Sequence, residues 1–108
     1  MTMESKTCTP CRGGIPPLNL QQAQAMIVEA PGWTLIENGT RLRRDYAFND
    51  FASAMQFANK VGVLSEQEGH HPDIRVGWGY CHVEFQTHKI KGLHENDFIM
   101  AAKVNALT

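Results

Sequence analysis

The Asn38-Gly39 pair constrains this chain more than any other feature. Both residues tolerate positive φ, and they lie between two short runs of strand character, 33–37 and 40–48. Such a pair is the strongest short-range hairpin signal a sequence carries. In the return strand Leu42, Tyr46 and Phe48 alternate onto one face, with Arg44 as the exception. A second hairpin follows further on. Asp73–Gly77 reads as a short strand, Gly77-Trp78-Gly79 as a tight connection, and 80–88 as a long strand of period two. Cys81, Val83 and Phe85 fall on one side of it, and His82, Glu84, Gln86 and His88 on the other. Strands with one apolar face call for an antiparallel sheet covered on one side.

The segments around the hairpins carry helical spacing. Leu18, Ala23, Met26, Ile27 and Ala30 recur with Asn19 as a cap, and Pro31-Gly32 stops the run. Asn49-Asp50 caps the next helix. Phe51, Ala54, Met55, Ala58, Val61 and Gly62 line one side of it, Phe57 and Leu64 widen the stripe, and Gly69 and Pro72 end it. Gly92 marks a loop. Glu95 and Asp97 suit the positive first turn of a final helix that turns Phe98, Ala101, Ala102 and Val104 inward. The order α-β-β-α-β-β-α predicts an α+β domain: a four-stranded antiparallel sheet with three helices packed on one face. The other face is left for solvent or another subunit.

At 108 residues the chain has room for one domain. Residues 1–17, rich in Pro and Gly, read as a flexible N-terminal arm, and 18–108 as the folded domain. Ten Lys plus Arg stand against eleven Asp plus Glu, which argues against a nucleic-acid partner. Arg41, Arg43 and Arg44 are a basic cluster too small to change that, and read as a solvated strand face. No apolar run approaches the roughly 20 residues of a membrane helix, and the first residues lack the apolar core of a secretory signal. The expectation is a cytoplasmic protein. Cys8-Thr9-Pro10-Cys11 is a lone CxxC with no second ligand pair for structural zinc and no βαβ context for redox catalysis, so it reads as free thiols. Cys81 reads as core.

The chemistry concentrates in the histidines. Four of the five fall between 70 and 88. His70 and His71 follow a helix, and His88 ends the strand that pairs with theirs, so the three can converge. Glu66, one helical turn before His70, can reach the same place. Imidazole is the side chain best suited to moving protons near neutral pH, and several in one pocket supply both acid and base. Trp78 is an aromatic that could flank a flat ligand. Each feature also has a plainer reading: a surface histidine, a helix stop at His-His-Pro, a packing tryptophan. Three histidines can hold zinc, but neighbours in an extended backbone point to opposite faces, which disfavours His70 and His71 on one ion.

The spacing Glu66, three residues, His70-His71-Pro72, five residues, Trp78, nine residues, His88, eight residues, Asp97 resembles the signature of the pterin-4a-carbinolamine dehydratases. The flanks, EGHHPDI and THKIKGLHENDFIMAAK, are similar to its bacterial branch. The resemblance implies the same four-stranded sheet with three helices, a homodimer or homotetramer, and no metal or organic cofactor. It implies loss of water from a 4a-hydroxytetrahydropterin to give a quinonoid dihydropterin, with a functional link to an aromatic amino acid hydroxylase. It maps catalysis onto His70, His71 and His88, with Glu66, Pro72, Trp78 and Asp97 binding substrate or supporting. On this mapping His70 and His88 move protons, His71 holds the substrate, Glu66 acts on His70, and Asp97 fixes an imidazole tautomer. The alternative is a protein-binding or dimerisation-cofactor role on the same fold without turnover.

Overall fold

The computed structural model describes residues 3–9 and 13–108. Three α-helices, α1 (Leu20–Met26), α2 (Phe51–Glu68) and α3 (Glu95–Asn105), accompany four strands, β1 (Thr34–Ile36), β2 (Arg41–Ala47), β3 (Asp73–Gly77) and β4 (Tyr80–Phe85). The strands form one antiparallel sheet in the order β1-β2-β4-β3. This is the expected α+β architecture.

Asn19 opens α1 with a capping box, accepting the Gln22 N–H at 2.8 Å while the Gln22 side chain accepts its own N–H at 2.9 Å. The last expected turn of that helix is instead a 3-10 turn over Ile27–Glu29. The β1–β2 turn is longer than a two-residue hairpin. Ile36 pairs with Arg41, so Glu37–Thr40 form a four-residue loop with Glu37, Asn38 and Gly39 all at positive φ. The second hairpin closes tightly, with Gly77 opposite Tyr80.

The inner face of the sheet carries Leu42, Tyr46, Cys81, Val83 and Phe85, all buried, against Phe57 and Val61 of α2 and Phe98, Ile99 and Val104 of α3. The apolar stripe of α2 is rotated from the expected one. Ala54, Phe57, Val61 and Ser65 are buried, whereas Phe51 is about half exposed. Leu64 and Ala58 pack at its margin.

Arg44 explains its break in the alternation. Its guanidinium lies 4.6 Å from the Tyr46 ring centroid and donates to Asn105 Oδ1 at 2.6 Å and to the Pro31 carbonyl at 3.2 Å. Arg41 and Arg43 instead lie among Glu37, Asp45, Asp73 and Glu84. The three arginines are therefore split rather than gathered on one solvated face.

The segment expected to be a flexible arm is packed onto the domain where it is described. Met3–Ser5 form a 3-10 turn with Met3 buried against the core, and the Lys103 ammonium donates to the Glu4 carbonyl at 2.8 Å. Met3 supplies the apolar anchor, and backbone polar groups find partners on α3. Of the CxxC pair only Cys8 falls among the described residues. It is free and half-buried, and burial raises its thiol pKa to about 12, with the nearby Glu68 carboxylate adding to the shift. Cys11 lies outside the described residues. No helix among the described residues is long and apolar enough to cross a membrane.

Candidate active site

Two helix ends and the end of β4 build the site. Helix α2 stops at Gly69, whose φ of 67° is the left-handed conformation that favours glycine, and its N–H bonds back to the Ser65 carbonyl. The turn swings His70 off the helix axis. Carried three residues past its last pair, Asp73 with Glu84, the β3–β4 register sets His70 opposite Thr87. The His70 ring lies nearly parallel to Phe85, at 14° and 6.1 Å between centroids.

Helix α3 brings the carboxylate. Asp97 is fully buried, and its two oxygens do different work. Oδ2 accepts the His94 N–H at 3.0 Å, which caps the helix, and the Thr87 hydroxyl at 2.8 Å. Oδ1 lies 2.7 Å from His70 Nε2. With the carboxylate as acceptor, Nε2 carries the proton and Nδ1 keeps its lone pair. The His70 side chain is 11 % exposed, so the pair sits in a medium that strengthens it relative to a surface ion pair.

His71 points elsewhere. Its Nε2 meets Glu66 Oε2, and both side chains are open to solvent. Glu66 thus contacts His71 rather than His70. The expectation of a Glu66–His70 contact extended the helical i,i+4 rule past Gly69, where the helix has ended.

His88 is exposed and opens a 3-10 turn, His88–Ile90, instead of ending β4. Strand β4 stops at Phe85 because Thr87 pairs with Gly92 across a short loop, its N–H donating to the Gly92 carbonyl at 2.9 Å. The His88 ring is left without a hydrogen bond among the described residues, one residue from Thr87. Pro72, half-buried, leads into β3. Trp78 does not join this group. It is 72 % exposed at the β3–β4 turn, five strand residues away from His71-Pro72, or roughly 17 Å at strand rise.

Thr87, His94 and Asn96 were missed as site-supporting residues. For Thr87 a signal existed, since the alternation of Cys81, Val83 and Phe85 continues onto it. His94, three residues before Asp97, had the spacing of a capping box. Asn96 gave none. Among the described residues no group of three or more His, Cys, Asp or Glu side chains is arranged to hold a metal ion. What the arrangement offers chemically is a buried carboxylate–imidazole couple, with His71 on the next residue turned to the exposed Glu66 and His88 exposed one residue after Thr87.

Comparisons with known proteins place this geometry. The family model described as pterin 4 alpha carbinolamine dehydratase matches residues 16–107. A protein from Methylococcus capsulatus is 59% identical over 98% of this chain and 93% of its own, and one from Cupriavidus pinatubonensis is 56% identical over 97% and 90%. Both names assign them provisionally as pterin-4-alpha-carbinolamine dehydratases. A Brucella melitensis crystal structure described as a transcriptional coactivator/pterin dehydratase superposes with a TM-score of 0.77 at 26% identity, covering 84% of this chain and 97% of that one. A pterin dehydratase-like protein identified as a RuBisCO assembly factor in the alpha-carboxysome gives 0.60 at 27% identity, over 70% and 88%. The buried Asp97–His70 couple and the Glu66–His71 contact thus lie within a stretch matched almost end to end, and the chain belongs to the pterin 4 alpha carbinolamine dehydratase family of lyases.

Proposed function

We propose that this protein dehydrates a 4a-hydroxytetrahydropterin to the quinonoid dihydropterin, by histidine acid–base catalysis, in the recycling of the pterin used by an aromatic amino acid hydroxylase. The observation that carries this reading is the buried Asp97–His70 couple, which holds one imidazole with its Nδ1 lone pair available. In the reaction the C4a–O bond breaks and the ring N–H proton is lost. The nitrogen lone pair becomes the new C=N bond, and the departing hydroxide is protonated to water. One imidazole accepts the ring proton and another, protonated, supplies the proton to the leaving oxygen. The substrate therefore loses one water, and proton exchange with solvent resets the pair.

His70 and His88 form the proton-transferring pair. His71, paired with Glu66, holds the pterin, and Asp97 fixes the His70 tautomer. Pro72 shapes the turn that presents His70 and His71. Trp78 contributes to substrate binding only if another subunit brings its turn to this site. No metal or organic cofactor takes part. The protein works in the cytoplasm as a homodimer or homotetramer. An open depression of about 710 Å³ along α2, lined by Ala58, Gly62 and Val63 among others, offers apolar surface for a second copy.

The relative described as a RuBisCO assembly factor favours a second reading, a protein-binding role on this fold without turnover, and the Brucella melitensis description names a coactivator beside the dehydratase. A coupled assay separates the two. A phenylalanine hydroxylase generates the carbinolamine, and quinonoid dihydropterin formation is followed with chelator present. Wild type should accelerate the step, and His70→Ala or His88→Ala should lower kcat by about 100-fold or more, the scale of a lost acid or base. Acceleration that survives both substitutions refutes the histidine mechanism. No acceleration by folded wild type refutes dehydration of this substrate and favours the binding role.

A further inference from the structure

The N-terminal segment plays no part in the chemistry above, yet it crosses the two helix ends that carry the Asp97–His70 couple. Asn96, immediately before Asp97, is buried at 2 % exposure and pairs reciprocally with the backbone of Thr9. The Thr9 N–H donates to Oδ1 at 3.0 Å, and Nδ2 donates to the Thr9 carbonyl at 2.6 Å. One residue earlier, the Cys8 N–H donates to Glu68 Oε1 at 2.9 Å. Glu68 is the last residue of α2, two before His70. The Cys8 thiol lies 3.8 Å from the Asn96 carbonyl. The dipeptide Cys8-Thr9 therefore grips the end of α2 with one peptide and the start of α3 with the next.

We propose that Glu68 and Asn96 are positioning residues that use the Cys8-Thr9 strap to fix the spacing of the two helix ends, and so hold His70 Nε2 on Asp97 Oδ1. This inference rests on the catalytic reading of that couple. Beside the strap, the Thr87–Asp97 bond and the Phe85 ring against His70 set the couple's geometry. His70 follows a turn at Gly69, and Asp97 lies in the first turn of α3, so small relative movements of the two ends pass directly into the 2.7 Å contact. A displacement of about 1 Å at a catalytic group costs on the order of 100-fold in rate, and partial loosening correspondingly less.

The test uses the full chain. Glu68→Ala removes the acceptor for the Cys8 N–H. Glu68→Gln restores that acceptor but not the ion pair with Lys103, so rescue by glutamine assigns the effect to the strap rather than to the charge. Two readouts are taken on protein shown to be folded by circular dichroism: kcat and KM in the coupled assay, and the ring-nitrogen NMR shifts of His70. In wild type the nitrogen spectrum should report a single neutral tautomer protonated at Nε2. In Glu68→Ala both tautomers should appear, with kcat lowered about tenfold and KM within about twofold. Glu68→Gln should return both readouts to wild type, and Asn96→Ala should repeat the alanine result. If Asn96→Ala does not fold, the Glu68 pair decides alone, because that side chain lies at the edge of the core. A single wild-type tautomer retained in folded Glu68→Ala overturns the inference. The nitrogen spectrum needs no substrate, so a chain without turnover, which would remove the catalytic reading, still shows whether the strap holds the couple.

Discussion

Asp97→Asn is the substitution whose outcome the structure specifies most fully. Asparagine is nearly isosteric, so the question is which way its amide points. At the Oδ2 position two donors converge, the His94 N–H at 3.0 Å and the Thr87 hydroxyl at 2.8 Å. The hydroxyl can rotate, but the backbone N–H cannot, so the amide oxygen must take that place and the NH₂ must face His70. A donor then meets Nε2 at the 2.7 Å contact, and His70 has to accept there. Its proton moves to Nδ1, and the lone pair proposed above to serve the substrate is lost. The side chain, the packing and the helix cap survive while the tautomer is inverted. Inversion of a catalytic imidazole's tautomer by such a change costs up to about 10⁴ in rate, and loss of a general base about 10² or more. The expected fall in kcat is therefore about 10²–10⁴, or roughly 2.7–5.4 kcal/mol in the barrier. Stability should fall by about 1–3 kcal/mol, as the carboxylate's three charge-assisted hydrogen bonds are exchanged for neutral ones. Initial rates in the coupled assay, run beside urea unfolding of the same preparation, measure both. A folded Asp97→Asn protein with kcat within about threefold of wild type would refute the tautomer argument.

The other expectations concern the frame around the site. Phe85→Ala removes the fully buried ring beneath His70 and should cost about 3–5 kcal/mol in urea unfolding, with the Phe98→Ala loss of similar size. Gly69→Ala introduces a Cβ into open space but at a φ of 67°, so backbone strain alone should lower stability by about 1–2 kcal/mol; an unchanged midpoint would contradict the left-handed cap. Cys8, with its thiol pKa raised from 9.0 to about 12, should resist iodoacetamide at pH 8.5 in the native protein and react on unfolding, as peptide mass mapping would show. Because that pKa is raised in the folded state, its contribution to stability is complete below pH 9.0. It should fade as pH rises towards about 12, seen as a falling urea midpoint that Cys8→Ser makes shallower, the rest of the fall coming from Cys81 and Tyr46, whose pKa values burial also raises.

Much of the fold was legible because period two and helical spacing are local signals. The inward face of β4, the caps at Asn19 and Asp50 and the stop at Gly69 all follow from residues within a few positions of one another. What the sequence concealed depends on contacts between distant segments. The Asp97–His70 bond spans 27 residues, and only the closing of α3 over the sheet makes it. His88 looked like a continuation of β4 because alternation does not register that Thr87 turns to pair with Gly92. Arg44 broke the pattern for a partner 61 residues on, Asn105. The docked segment 3–9 has almost no bulky apolar residues, and its anchoring comes from backbone donors and acceptors, the Lys6–Glu95 ion pair and a single buried methionine, for which composition is no guide.

The divided labour of Asp97 also bears on how proteins of this fold change when catalysis is no longer demanded. One carboxylate oxygen is committed to the helix and to Thr87, so a residue at position 97 that offers no acceptor oxygen damages the architecture whether or not the site is used. Among the described residues the His88 side chain makes no hydrogen bond, and His71 meets only an exposed carboxylate. In a lineage that keeps the scaffold and abandons turnover, an acceptor at position 97, aspartate or asparagine, should persist under selection for folding, while the two exposed histidines drift. For distinguishing working enzymes from scaffolds among such descendants, the residues at positions 71 and 88 are therefore informative, whereas the mere presence of an acceptor at position 97 is not.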